Sequence, residues 1–140
     1  NPSTQFTTLS DAANQPFSAF PKNFNDLPTV AFVVPSLAHD AHDGSLAQAD
    51  GWLKKNLGAY IEWAKSHNSL LILTFDEETH RSRVKNIPTF FYGAHVKPGV
   101  YTTKINHYNI LRTLEDLFHL PYLGASATAT PITNIWVYDN

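Results

Sequence analysis

The chain has 140 residues, ten Lys and Arg against twelve Asp and Glu, a formal charge of −2, and 43% apolar residues. That is enough apolar material for one packed domain, and it excludes a disordered acidic tail and a strongly basic nucleic-acid binder. The longest apolar runs, at residues 30–34 and 70–73, fall far short of the roughly 18 to 20 residues of a membrane-spanning helix, so no transmembrane segment is expected.

Cysteine is absent, which removes disulfides, zinc–thiolate clusters and a cysteine nucleophile from consideration. Methionine is absent as well and the chain opens on Asn1, from which we expect a processed or excised piece of a longer protein. Seven histidines give it the capacity to become net positive near about pH 5.

Residues 1–28 mix polar residues and four phenylalanines with Pro2, Pro16, Pro21 and Pro28, without helical or strand period, and predict an extended lead-in leaning on a body at 29–140. Residues 29–34 are apolar on both faces, the pattern of a strand covered by helices, and Pro35 stops it. A loop with Ser36, His39, Asp40, His42, Asp43 and Gly44 follows. From Ser45 to about His67 the apolar positions Leu46, Ala49, Leu53, Leu57, Tyr60, Ile61 and Ala64 recur at three and four, one helical stripe with Ser45 or Asp43 as its cap.

Residues 70–75 form a second buried-strand pattern ending on Asp76, Glu77 and Glu78, and 87–92 a third, closed by Gly93. Asn106 caps a helix from His107 to about His119 with Ile110, Leu111, Leu114, Leu117 and Phe118 on its inner face. The small-residue stretch 124–130 reads as a loop, and 131–139 as a final strand. The fold class expected is α/β, with a mostly parallel sheet flanked by helices.

In such a sheet the histidine loop and the acidic tip both follow strands, and both sit beyond the strands' carboxyl ends, where ligands bind. Asp76 and Glu77 are adjacent carboxylates that repel each other, and a hard cation keeps both ionised; the competing reading is a solvated acidic turn. The segment from His39 to Asp43 offers two imidazoles and two carboxylates for metal ligation, phosphate contacts or proton transfer, or else it is a capped helix entrance.

The Glu77-x-x-His80 spacing matches helical di-iron sites, but a strand precedes it and no partner motif exists, so that reading is rejected. Arg81, Arg83 and Lys85 read as a solvated run. Trp52, Tyr60, Trp63 and Tyr108 read as helix packing, and His67, His95 and His119 carry no assigned role. No Gly-x-Ser-x-Gly elbow, Walker loop or dinucleotide glycine pattern occurs. Ser36, Ser45 and Thr74 are hydroxyls near the expected crevice, and none of them is identified as a nucleophile.

The motifs Leu27-Pro-Thr-Val-Ala-Phe-Val-Val-Pro35, His39-Asp-Ala-His-Asp-Gly44, Ala49-Asp-Gly-Trp-Leu-Lys54, His67-Asn-Ser-Leu-Leu-Ile-Leu-Thr-Phe-Asp-Glu77, Asn106-His-Tyr-Asn-Ile-Leu-Arg-Thr-Leu-Glu-Asp116 and Ala129-Thr-Pro-Ile-Thr-Asn-Ile-Trp136 stand in one order. In that order the chain resembles the carboxyl-terminal part of the phosphoesterase family of secreted acid phosphatases and bacterial-type phospholipases C, within the alkaline phosphatase superfamily. The resemblance implies an incomplete portion of an alkaline-phosphatase-like fold and a metal-dependent phosphate-ester hydrolase, secreted or periplasmic.

It further implies that Asp76 and Glu77 ligate one divalent metal ion. His42 meets the phosphoryl oxygens or the leaving group, with Asp43 or His39 in support, and His107 matches a second phosphate-side histidine. The family's Glu-Asn metal motif and Ser or Thr nucleophile have no match here. We therefore expect a missing amino-terminal portion as partner, and little or no activity in this piece alone. The alternative is a non-catalytic phosphate-binding or structural fragment.

Overall fold

The computed structural model describes residues 2–78, 83 and 86–137, and its contacts divide the chain into two units, 1–63 and 64–140. The first unit is organised by a helix, α1 (Leu46–Ala64), whose start is fixed locally. Ser45 Oγ accepts from the Gln48 backbone N–H at 3.2 Å while Gln48 Oε1 accepts from the Ser45 N–H at 2.7 Å. This reciprocal box satisfies two of the amide groups a helix start leaves orphaned.

Ahead of it the chain runs through four short 3-10 turns, Pro2–Gln5, Asp11–Ala13, Phe17–Ala19 and Phe24–Asp26. The last two carry rings onto α1. Phe17 meets Trp52 with centroids 5.0 Å apart, Phe24 meets Tyr60 at 5.5 Å and Trp63 at 5.6 Å, and Phe20 lies between the two phenylalanines. Tilted and edge-on pairs of this kind contribute about 0.5–1.5 kcal/mol each beyond their buried area. Trp52, Tyr60 and Trp63 thus have the packing role expected of them.

Residues 29 and 30 form a bend and 31–34 belong to no strand, and Phe32 is 80% exposed. The buried strand expected there is not formed among the described residues. Its apolar sequence supplies a surface to bury, but a strand also needs a neighbour to receive its backbone hydrogen bonds.

In the second unit β1 (Leu70–Thr74) and β2 (Thr89–Gly93) pair in register from Leu70 against Gly93 to Thr74 against Thr89, closed by a 3.1 Å contact between the two threonine hydroxyls. The pairing is antiparallel, whereas a mostly parallel sheet was expected, so α/β composition holds without the predicted strand direction. An apolar run reports burial and carries no sense of direction. The alternating burial of β2, with Phe90 and Tyr92 outward, fits a half-exposed antiparallel strand. Gly93 is required because a Cβ there would overlap the Ser69 carbonyl oxygen.

Helix α2 (His107–Leu117) follows, capped by Asn106 as expected. Its end is a Schellman closure: His119 takes φ 52°, its N–H reaches the Asp116 carbonyl, and the Leu120 N–H reaches the Glu115 carbonyl at 2.8 Å. The face this helix buries matches its apolar stripe only in part, with Ile110 and Leu114 half-buried. Leu111, Leu117 and Phe118 are exposed, while Thr113 and Glu115 are each only 2% exposed.

The reason is a set of polar bonds to the segment expected to be a loop, which contains a 3-10 helix at Gly124–Thr128. Ser126 donates to the Glu115 carboxyl, which also accepts from the Leu123 N–H at 3.0 Å. Thr113 Oγ1 accepts from the Ile132 N–H at 2.8 Å, and Arg112 donates to the carbonyls of Ala127 and Ala129 and lies 3.7 Å over the Tyr122 ring. Residues 131–137 form no full strand; Val96 and Trp136 make a single antiparallel bridge, and the expectation for 138–139 lies outside the described residues.

Two outcomes follow from α2. Ser126→Ala leaves the buried Glu115 carboxyl without its hydroxyl donor and lowers stability by about 1–3 kcal/mol in urea unfolding. The Tyr122 hydrogen bond, then the Arg112 guanidinium, hold the Asp116 carboxyl below its ordinary 3.8. A depressed carboxylate stabilises fully above its unfolded value, so the stability gap between wild type and Asp116→Asn is complete above pH about 4 and closes as pH falls through the lower folded value.

Candidate functional site

The histidine loop belongs to the first unit, and its shape is imposed by its own backbone. The His39 N–H donates to the Ser36 carbonyl at 2.7 Å, and the amides of Asp43 and Gly44 both turn back to the Leu37 carbonyl. The Asp40 side chain accepts from the His42 N–H at 2.9 Å. Between them Ala41 sits at φ 71°, a left-handed conformation that a non-glycine residue adopts at a cost of about 1–2 kcal/mol. A Cβ on Gly44 would overlap the Ala38 carbonyl oxygen, so this glycine lets the loop close onto the start of α1.

This backbone presents two imidazoles differently. His42 Nδ1 lies 2.9 Å from Asp43 Oδ1, both side chains being about two-thirds exposed. An ionised carboxylate only accepts, so Nδ1 carries the proton. His39 Nδ1 instead lies 2.9 Å from Ser36 Oγ, and its ring is 6.3 Å from that of Trp52. An open groove of about 420 Å3 adjoins His39, lined also by Gln48, Trp52, Lys55 and Asn56. Ser45 is spent on its helix cap.

In the second unit Asp76 and Glu77 follow β1 in an exposed bend. Asp76 Oδ1 accepts from the Glu77 N–H at 3.0 Å, and His107 Nε2 lies 3.0 Å from the Asp76 carbonyl oxygen. The structure thus joins His42 to Asp43, and His107 to Asp76. Sequence reasoning treated His107 and the acidic pair separately; Asn106, a recognisable cap, was the one local sign of where His107 would start a helix. Among the described residues of this unit no third His, Asp or Glu completes a metal cluster with the pair. Arg83 is exposed, while His80, Arg81 and Lys85 lie outside the described residues.

The strain at Ala41 is directly measurable. Ala41→Gly removes the left-handed penalty and raises unfolding stability by about 1 kcal/mol, whereas Gly44→Ala forces the loop off the Ala38 carbonyl and lowers it.

Comparison with known proteins supplies what the geometry alone does not name. The chain is 52% identical over 137 residues to a phosphatidylinositol-3-phosphatase of Mycobacterium tuberculosis, covering 96% of this chain and 46% of that protein. It is 29% identical to a phosphate-repressible acid phosphatase of Penicillium chrysogenum, covering 89% of this chain and 33% of that one. It is 30% identical to an acid phosphatase of Aspergillus niger, covering 77% and 28%. The chain therefore spans less than half the length of these curated relatives. No solved structure matches it. The phosphoesterase family model matches residues 1–121, and on that match the chain belongs to the phosphoesterase family.

Proposed function

We propose that this chain contributes the metal-binding acidic pair and the phosphate-handling histidines of a phosphate-ester hydrolase, whose Ser or Thr nucleophile lies in an amino-terminal portion outside this sequence. The observation that carries the reading is the 52% identity, over nearly the whole chain, to a protein named for its phosphatase activity. The relatives' names divide between a phosphoinositide phosphatase and acid phosphatases, and a phosphate ester is their common substrate class.

Asp76 and Glu77 suit one divalent cation as part of its ligand set. Both are exposed oxygen donors, and with Asp76 Oδ1 taken by the Glu77 amide the second oxygen of Asp76 is available. When bound, the ion supplies Lewis-acid polarisation of a phosphoryl oxygen and of the nucleophile. His42 is the proton carrier. With Nδ1–H held by Asp43, protonated His42 gives its Nε2 proton to the departing ester oxygen, and the Asp43 carboxylate steadies the imidazolium beforehand. His39, held by Ser36, borders the groove beside this loop and supports it. His107 has Nε2–H engaged on the Asp76 carbonyl, so a phosphate contact through Nδ1 belongs to the doubly protonated ring, whose Nδ1–H donates to a phosphoryl oxygen.

A mostly parallel, alkaline-phosphatase-like sheet in the intact protein belongs to the same proposal, supported by the apolar run at residues 30–34, whose Val30, Phe32 and Val34 are exposed. A secreted or periplasmic location belongs to it too. Among the described residues no helix is long and apolar enough to cross a membrane.

In the full-length protein, Asp76→Ala abolishes metal-dependent hydrolysis of an aryl phosphate, and His42→Asn lowers kcat by about 100-fold or more. Wild-type turnover in Asp76→Ala rejects the metal assignment. Hydrolysis by the pure 140-residue chain rejects the placement of the nucleophile elsewhere and returns attention to Ser36, Ser45 and Thr74.

A further inference from the structure

His107 is the first residue of α2, and its backbone is fixed before its side chain reaches anything. The Asn106 side chain accepts from the amides of Tyr108 and Asn109, Asn109 Oδ1 accepts from the Asn106 N–H at 2.6 Å, and Asn109 Nδ2 donates to the Thr130 carbonyl at 2.8 Å. From this anchored point Nε2 lies 3.0 Å from the Asp76 carbonyl oxygen. A carbonyl oxygen only accepts, so the bond places the ring proton on Nε2.

Asp76 stands beyond the last ladder pair, Thr74 against Thr89, where the sheet no longer dictates its conformation. Two hydrogen bonds hold it there instead: its carbonyl receives His107 and its Oδ1 receives the Glu77 amide. The first fixes the peptide that follows Asp76, and that peptide carries the amide that orients the carboxylate.

We propose that His107 is a positioning residue: by donating Nε2–H to the Asp76 carbonyl it fixes the peptide whose amide orients the Asp76 carboxylate for a divalent cation. This rests on the metal-binding reading of that pair, and it gives His107 a role exerted through the main chain. Groups that orient metal ligands in this way change cation affinity when they are lost, on the order of tenfold.

The test is a Mn2+ titration of the 15N-labelled full-length protein, following paramagnetic broadening at the Asp76 and Glu77 amides. His107→Ala is expected to need on the order of tenfold more Mn2+ for half-broadening. His107→Gln, whose amide nitrogen reaches about as far as Nε2, is expected to titrate close to wild type. If His107→Ala titrates as wild type while Asp76→Asn no longer localises Mn2+, the positioning role fails and the metal reading stands. A weakened His107→Ala that His107→Gln does not restore also overturns the role, since general loosening of the fold would explain it. If no localised broadening occurs, or Asp76→Asn and Glu77→Gln leave it unchanged, the metal reading falls and takes this inference with it. The ring nitrogen shifts of wild-type His107 give an independent check that needs no variant: an Nδ1–H tautomer removes the bond on which the proposal stands.

Discussion

The hydrogen bond from His107 to the Asp76 carbonyl joins residues 31 apart in sequence and links the start of α2 to the chain leaving β1. It is a single neutral contact at an exposed position, of a kind that contributes about 0.5–1.5 kcal/mol to stability. Its consequence is geometric. A carboxylate pair on an unconstrained bend samples many orientations, and ordering it costs conformational entropy each time a ligand binds. A bond made in advance by a capped helix fixes the peptide after Asp76, and on the proposed metal reading it lowers that cost.

The same helix shows how polar groups organise the second unit. Thr113 and Glu115 are buried because residues 123–132 bring backbone amides and the Ser126 hydroxyl to them. Burying polar atoms is costly unless every one finds a partner, and no buried side-chain nitrogen or oxygen lacks one among the described residues. The leucines of α2 stay outside that network. The first unit is built in the opposite manner, from rings: Phe17 and Phe24 reach α1 from 3-10 turns, with Phe20 between them, and leave the following loop to be shaped by its own backbone bonds.

In that loop a strained Ala41 and a sterically required Gly44 hold His42 beside Asp43. Strained backbone persists only where surrounding bonds over-determine it, and here the Asp40 side chain and the Leu37 carbonyl supply them. The family match and this geometry address different questions. The match says which family the chain belongs to, and the loop says which nitrogen of His42 meets Asp43.

The sequence alone determined whatever depends on near neighbours. The three-and-four spacing from Leu46 onward, the Ser45 and Asn106 caps, and the apolar runs at 70–75 and 87–92 all express contacts within a few residues, and each element appears within a few residues of its expected place. The ordered motifs likewise sufficed to place the chain in its family. Only tertiary structure decided the direction in which β1 and β2 pair, because ladder bonds are set by a partner that an apolar run does not specify. It alone decided that α2 buries Thr113 and Glu115, because a polar residue goes inside only when a distant segment brings its hydrogen bonds. The proton on His107 Nε2 has the same origin: a ring nitrogen's state follows from the atom it meets, and that atom lies in another part of the chain.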